Sequence, residues 1–250
     1  MTAFYEALLF RVKDDPIGHL GRCDVRLLNP YWIGYDYARR DWRLGGVEHL
    51  IEWEKFREWQ ESKVHLCSQN LQGFCRLITD AEEDAFALFF ALYESAFREH
   101  GIATPIASFE CENIDPGSVT KAGSMLSLIS SAAFKTRPAM YFGNDNWIQS
   151  LWTMCNGYLH AEHDLGVPNS DDAAKLTAFQ LWVDERHPIG KGRNWGQLYS
   201  FLALESDQGA LDSFFEDMEM FLNGESSSTP AKWITEVVAN VLKNQEQKPD

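Results

Sequence analysis

Apolar positions along this chain recur at intervals of three and four, so the pattern predicts helices nearly throughout. From Ala81 the run AEEDAFALFFALYESAFREHG is apolar almost all the way round, which predicts a deeply buried helix. Thr79-Asp80-Ala81-Glu82 has the form of a capping box ahead of it, and Gly101 is placed to end it. Residues Asn146 to His163 set Trp147, Ile148, Leu151, Trp152, Cys155, Tyr158 and Leu159 at helical spacing, with Asn144/Asp145 as the expected cap. Gly209 to Leu222 alternates phenylalanines with acids and stops at Asn223-Gly224. Thr229-Pro230 opens a final helix on Ile234, Val237, Val238, Val241 and Leu242. Strand signals are weak, confined to Ile102–Phe109 and His65–Leu77, and neither alternates cleanly. The expectation is an all-α protein.

The helical pattern occurs twice. The stretch from about Phe4 to Phe97 reappears in order from about Leu126 to Leu222. Pro16, Leu20 and Gly21 answer to Pro138, Phe142 and Gly143, and Gly34-Tyr35 answers to Gly157-Tyr158. Asp41 meets Asp164, Phe56 and Trp59 meet Phe179 and Trp182, and Phe89-Phe90 meets Phe214-Phe215. A duplicated module of this length is a packed supersecondary unit, not a short solenoid repeat. The expected organisation is a first repeat at 1–100, a connector at 101–124, a second repeat at 125–224, and a C-terminal helix and tail at 225–250. Glycine inside a helix costs roughly 1 kcal/mol relative to alanine. Its retention at both Gly34 and Gly157 predicts a close helix crossing with no room for a side chain. Pro30 lacks a counterpart, so the first of these helices is expected to start there behind Asn29.

Charge narrows the class of partner. The 250 residues carry a formal net charge of −15, from 17 acids against 12 bases in residues 1–100 and 20 against 10 in residues 101–250. Such a field disfavours nucleic acid and anionic membranes and favours a basic protein. No apolar run reaches the length of a membrane span. MTAFYEALLFRVKDD has no basic leader or cleavage site, and the five scattered cysteines form no CxxC pair, so a reduced cytoplasmic chain is expected.

Catalytic signals are poor. There is no GxSxG elbow, P-loop, GxGxxG or HExxH. His160, His163 and Asp164 share a helix face, but the matching places in the first copy hold Tyr37, Arg40 and Asp41, so solvated helix-end histidines are the expectation and no metal is assigned. Asp80–Asp84 and Asp184-Glu185-Arg186-His187 read as solvated acids at helix ends. Gly190-Lys191-Gly192-Arg193 lacks the strand-to-helix context of a phosphate loop and reads as a surface turn. Neither a catalytic residue nor a cofactor is assigned, and the expectation is that the chain is not an enzyme.

The segment Arg137-Pro138-Ala139-Met140-Tyr141-Phe142-Gly143, with Leu151, Gly157-Tyr158 and Ala161 after it, resembles an RPxMYxG…L…GYxxA pattern of bacterial immunity proteins from polymorphic or contact-dependent toxin systems. The likeness covers about 132–222 well and 1–97 more loosely, with Gly18 and His19 in place of Met140 and Tyr141. It implies a chain that neutralises a cognate toxin by stoichiometric binding, here a basic toxin domain. The more acidic half is the expected contact face, through Asp171, Asp172, Asp184, Glu185, Asp212, Glu216 and Asp217, with Trp195 as an aromatic anchor. A helical adaptor for an endogenous partner stays open as an alternative, as does a metal-dependent hydrolase around His160.

Overall fold

Among the described residues the helical pattern forms thirteen α-helices and no strand. The computed structural model describes residues 5–44, 53–64, 71–101, 121–143, 146–167, 170–204 and 206–228. In chain order the helices are α1 (Tyr5–Asp14), α2 (Pro16–Leu20), α3 (Leu28–Asp41), α4 (Trp53–Val64), α5 (Leu71–Leu77), α6 (Glu82–Glu99) and α7 (Met125–Ser130). They continue with α8 (Ala132–Thr136), α9 (Ala139–Phe142), α10 (Trp147–Asp164), α11 (Asp171–Arg186), α12 (Trp195–Leu202) and α13 (Asp207–Leu222). The protein is all-α. It divides into two compact units, Met1–Ala174 and Lys175–Asp250, so the division falls inside the second sequence copy and not at the 101–124 connector.

Several helix ends differ from their sequence reading. Ala81, not Thr79, occupies the cap of α6 without a side-chain bond, because the Thr79 hydroxyl donates backwards to the Cys75 carbonyl. Helix α3 begins at Leu28, before Pro30, as the continuation of a 3-10 turn over Val25–Leu27. Asp24 caps that turn by accepting from the Arg26 amide, which leaves Asn29 exposed and uninvolved. Leu71–Leu77, half of one strand candidate, is helix α5. The cap of α10 is Asn146, at positive φ and without a side-chain capping bond, in place of the expected Asn144/Asp145, which lie outside the described residues together with the strand candidate at 102–109 and the helix expected after Thr229. Gly101 and Gly224, both with positive φ, follow the ends of α6 and α13 as expected.

The crossing of α3 and α10 is the centre of the first unit. A Cβ on Gly34 would lie 1.9 Å from the Met154 carbonyl oxygen, and one on Gly157 would lie 2.1 Å from that of Tyr31. These contacts are reciprocal under the sequence shift that relates the two copies. Hydrogen bonds repeat the relation: Tyr35 donates to Asp164 at 2.8 Å, and Tyr158 donates to Asp41 at 3.0 Å. The small residue brings the backbones together, and the tyrosine beside it reaches across to the acid at the end of the opposite helix.

Around that crossing, α1 to α6 bury Phe10, Leu20, Tyr31, Phe56, Trp59, Phe89, Phe90 and Phe97 in one aromatic-rich core. The second unit has its own core from α11, α12 and α13, where Trp195 stacks on Phe214 with ring centroids 4.7 Å apart. One aromatic pair that the sequence comparison aligned has like geometry in the two cores. Phe56 and Trp59 stack at 5.9 Å and 13°, and their counterparts Phe179 and Trp182 at 6.1 Å and 16°.

Candidate functional site

Among the described residues, three polar assemblies bring chemically capable side chains together. In the first unit, Lys121 lies between Glu162 at 2.9 Å and Asp172 at 2.7 Å, with its ammonium over the rings of Tyr158 and Trp42. Asp172 also accepts from the Ser124 hydroxyl and the amides of Met125 and Leu126. Glu162 accepts from Trp42 Nε1 at 3.0 Å and from the Ser170 hydroxyl. Burial alone would raise the Asp172 carboxyl, but its bonds to Lys121 and Ser124 hold it below the usual range. Asp41 moves upward, through burial and the repulsion of Asp172 and Glu162, against the bond from Tyr158. The network ties Lys121, from the end of the connector, to α10 and to the first turn of α11.

The second assembly surrounds Asp164, which pairs with Arg11 at 2.7 Å and accepts from Tyr35. Next to it, His19 Nδ1, His160 Nδ1 and the Tyr31 hydroxyl oxygen form a triangle with edges of 3.1, 3.0 and 3.1 Å. Asn156 steadies α2 by donating to the carbonyls of Gly18 and His19. Burial, then the charge of His19 and Arg11, pushes the His160 imidazole down to about 4, and burial and Arg11 lower His19 as well. Both rings are therefore neutral near pH 7. This corrects the expectation of solvated helix-end histidines: His163 is exposed, but His160 is half-buried and Asp164 is buried in an ion pair. Sequence spacing could not find His19, which lies 141 positions away from its partner.

The third assembly belongs to the second unit. A cleft of about 510 Å³ is lined by Leu202 and Ala203 with Tyr199, His187, Ser206, Asp212, Ser213 and Glu216. At its base Asp217 is fully engaged, accepting from Tyr199 at 2.7 Å, pairing with Arg186 at 2.7 Å, and meeting His187 Nε2 at 2.8 Å. Arg186 in turn lies over the Trp182 ring. Beside the cleft, Phe201 is 59% exposed and Leu204 89%, the latter held at positive φ in a short turn. Ile189, Leu198 and Phe201 line a smaller recess with Arg193.

The eight residues expected at a partner surface separate into two groups. Asp171, Glu185 and Asp212 are exposed, and Asp184 and Glu216 are half-buried. Asp172, Asp217 and Trp195 are each only 3% exposed, so they cannot form a contact face. Asp172 and Asp217 are internal counter-charges for Lys121 and Arg186, and Trp195 is core. Runs of acids had hidden this distinction, because Asp172 and Asp217 are buried while their neighbours Asp171 and Glu216 are not. No group of three His, Cys, Asp or Glu side chains among the described residues is arranged to hold a metal. Among the described residues no helix is long and apolar enough to cross a membrane. No family model matches the chain, and no curated protein or solved structure matches it.

Proposed function

We propose that the chain is an immunity protein that binds a cognate basic toxin domain in the cytoplasm and neutralises it stoichiometrically. The observation that carries this reading is the cleft of the second unit, whose lining combines apolar Leu202 and Ala203 with acidic Asp212 and Glu216. A neighbouring surface of Phe201, Leu202 and Leu204 is apolar and exposed. Apolar contact area combined with acidic side chains suits a protein segment that presents both apolar and basic side chains. The buried carboxylates, by contrast, are occupied by internal partners. Asp172, Glu162 and Asp217 balance Lys121 and Arg186, and an acid already paired inside in this way cannot be lost without stranding its partner. The toxin as partner comes from the resemblance over 132–222, and inhibition by binding alone follows from it.

The test is a pull-down of the tagged chain from its native cells at low salt. The expected result is a basic fragment of a larger secreted protein, recovered one to one, lethal when expressed alone and harmless when co-expressed with this chain. A stoichiometric partner that is harmless by itself would overturn the toxin reading and leave a helical adaptor.

A further inference from the structure

We infer that His19, Tyr31 and His160 form a binding site for a divalent transition metal, with two imidazole Nδ1 atoms and the Tyr31 oxygen as ligands. The inference is independent of the proposed toxin partner. The three donors come from α2, α3 and α10 and lie 3.0–3.1 Å from one another. A point about 1.0 Å off the plane of that triangle is about 2.05 Å from all three, which is the Zn–N and Zn–O bonding distance. Imidazole nitrogen suits zinc and copper alike.

Hydrogen bonding alone accounts less well for this geometry. Two neutral imidazoles and one phenol can make at most two hydrogen bonds around a three-membered ring of atoms, so one edge would be a bare contact. The imidazole edge is also bent. A collinear N–H···N bond of this length would hold the ring centroids more than about 5 Å apart, whereas they are 4.7 Å apart with planes at 78°. The two Nδ1 atoms therefore do not face each other along one line, and both are within bonding distance of one point beside the triangle. A metal there satisfies all three donors, and the Tyr31 proton leaves to solvent as its oxygen becomes a ligand.

The surroundings fit a cation of this kind. Asp164 and Asp15 face the cluster as anions, and Arg11, paired to Asp164, also faces it and limits the net negative field. Asn156 fixes the carbonyls on either side of the His19 peptide. His19 and His160 are only half-buried, which leaves a solvent-side position for water or a further ligand. The cluster holds only two histidines and is completed by a tyrosine, so the donor set differs from the His/Cys/Asp/Glu combinations that sequence spacing brings to mind.

The experiment uses the full chain without a histidine tag, stripped with chelator and titrated calorimetrically with Zn²⁺ alone and with Cu²⁺ alone. One equivalent should bind in or below the micromolar range and raise the unfolding temperature, since the metal joins three helices of the folded state. Changes to residues outside the ligand set commonly weaken metal sites by 10–100-fold, so His19→Gln and His160→Gln should each cost at least about tenfold. His163→Gln, on the same helix but exposed, should leave affinity unchanged. Tyr31→Phe keeps the ring and its packing, and should abolish a visible phenolate-to-copper absorption present in the parent. Failure of both metals to bind stoichiometrically would overturn the site, as would affinity that survives both histidine substitutions. A copper complex without phenolate absorption would overturn the assignment of Tyr31.

Discussion

Two glycines set how closely the central helices approach, and they make the sharpest claim at the scale of single residues. Any Cβ at Gly34 or Gly157 would meet a backbone carbonyl oxygen, at 1.9 and 2.1 Å, and backbone cannot rotate aside as a side chain can. Gly157→Ala should therefore lower stability by about 3 kcal/mol or more, the upper range for overpacking, despite alanine's better helix propensity. Urea unfolding would measure this, and a stability gain of the size propensity alone predicts would show that the crossing is looser than described. Gly34→Ala should behave alike, because its contact is the reciprocal one. The sequence made this legible: a residue unfavourable in a helix interior was kept twice in the same context, and a close approach explains both. Trp195 shows the opposite. Its residue type suits an interface anchor as well as a core, and only its stacking on Phe214 decides between them.

Between elements, the first unit is held by ion networks whose members are far apart in sequence, and this is where sequence reading reached least. Lys121 lay in a segment read as connector, yet its ammonium joins Glu162 of α10 to Asp172 of α11. The glycine and tyrosine pairing of α3 with α10 was visible in the sequence comparison, but the cation was not, because it lies in the connector, outside both copies. Removing one member of a buried pair strands the others, so Lys121→Met should cost about 3 kcal/mol at neutral pH. The pH dependence has a definite sign. Asp172 is held below its ordinary 3.8, so its contribution is present above that value and is lost as pH falls through the lower, folded value. Lys121 is raised above 10.5, as its bonds to Asp172 and Glu162 outweigh burial, so its contribution is complete below 10.5 and fades as pH rises further. Asp41 is raised, so protonating it in acid relieves repulsion in both proteins. The stability gap between parent and Lys121→Met should accordingly be wide at pH 7 and narrow below about pH 3.8. Unfolding curves across that range would test it, and a gap that stays constant into acid would mean that Lys121 contributes packing, not charge.

For the molecule as a whole, the surplus of negative charge acquires meaning only once internal carboxylates are separated from those at the surface. Of the acids expected at a partner face, Asp172 and Asp217 are committed to Lys121 and Arg186, and reversing either would test folding, not recognition. Asp171, Asp184, Glu185, Asp212 and Glu216 remain accessible, and of these only Asp212 and Glu216 line the cleft together with Leu202 and Ala203. If a basic partner docks there, these two act at short range against an excluded-water surface, while Asp171, Asp184 and Glu185 act only through the long-range field. The two kinds of contribution respond differently to salt and to mutation. Asp212→Lys with Glu216→Lys should slow association and also speed dissociation, leaving a loss of at least about tenfold in affinity at physiological ionic strength, where the Debye length is about 8 Å. Asp171→Lys with Glu185→Lys should slow association at low salt and leave dissociation nearly unchanged. Surface-binding kinetics against the recovered partner at two salt concentrations separate these outcomes. Equal effects from the two double variants on the dissociation rate would move the contact away from the cleft and onto the exposed acids of α11, because a residue outside the interface has no means of altering how long the complex persists.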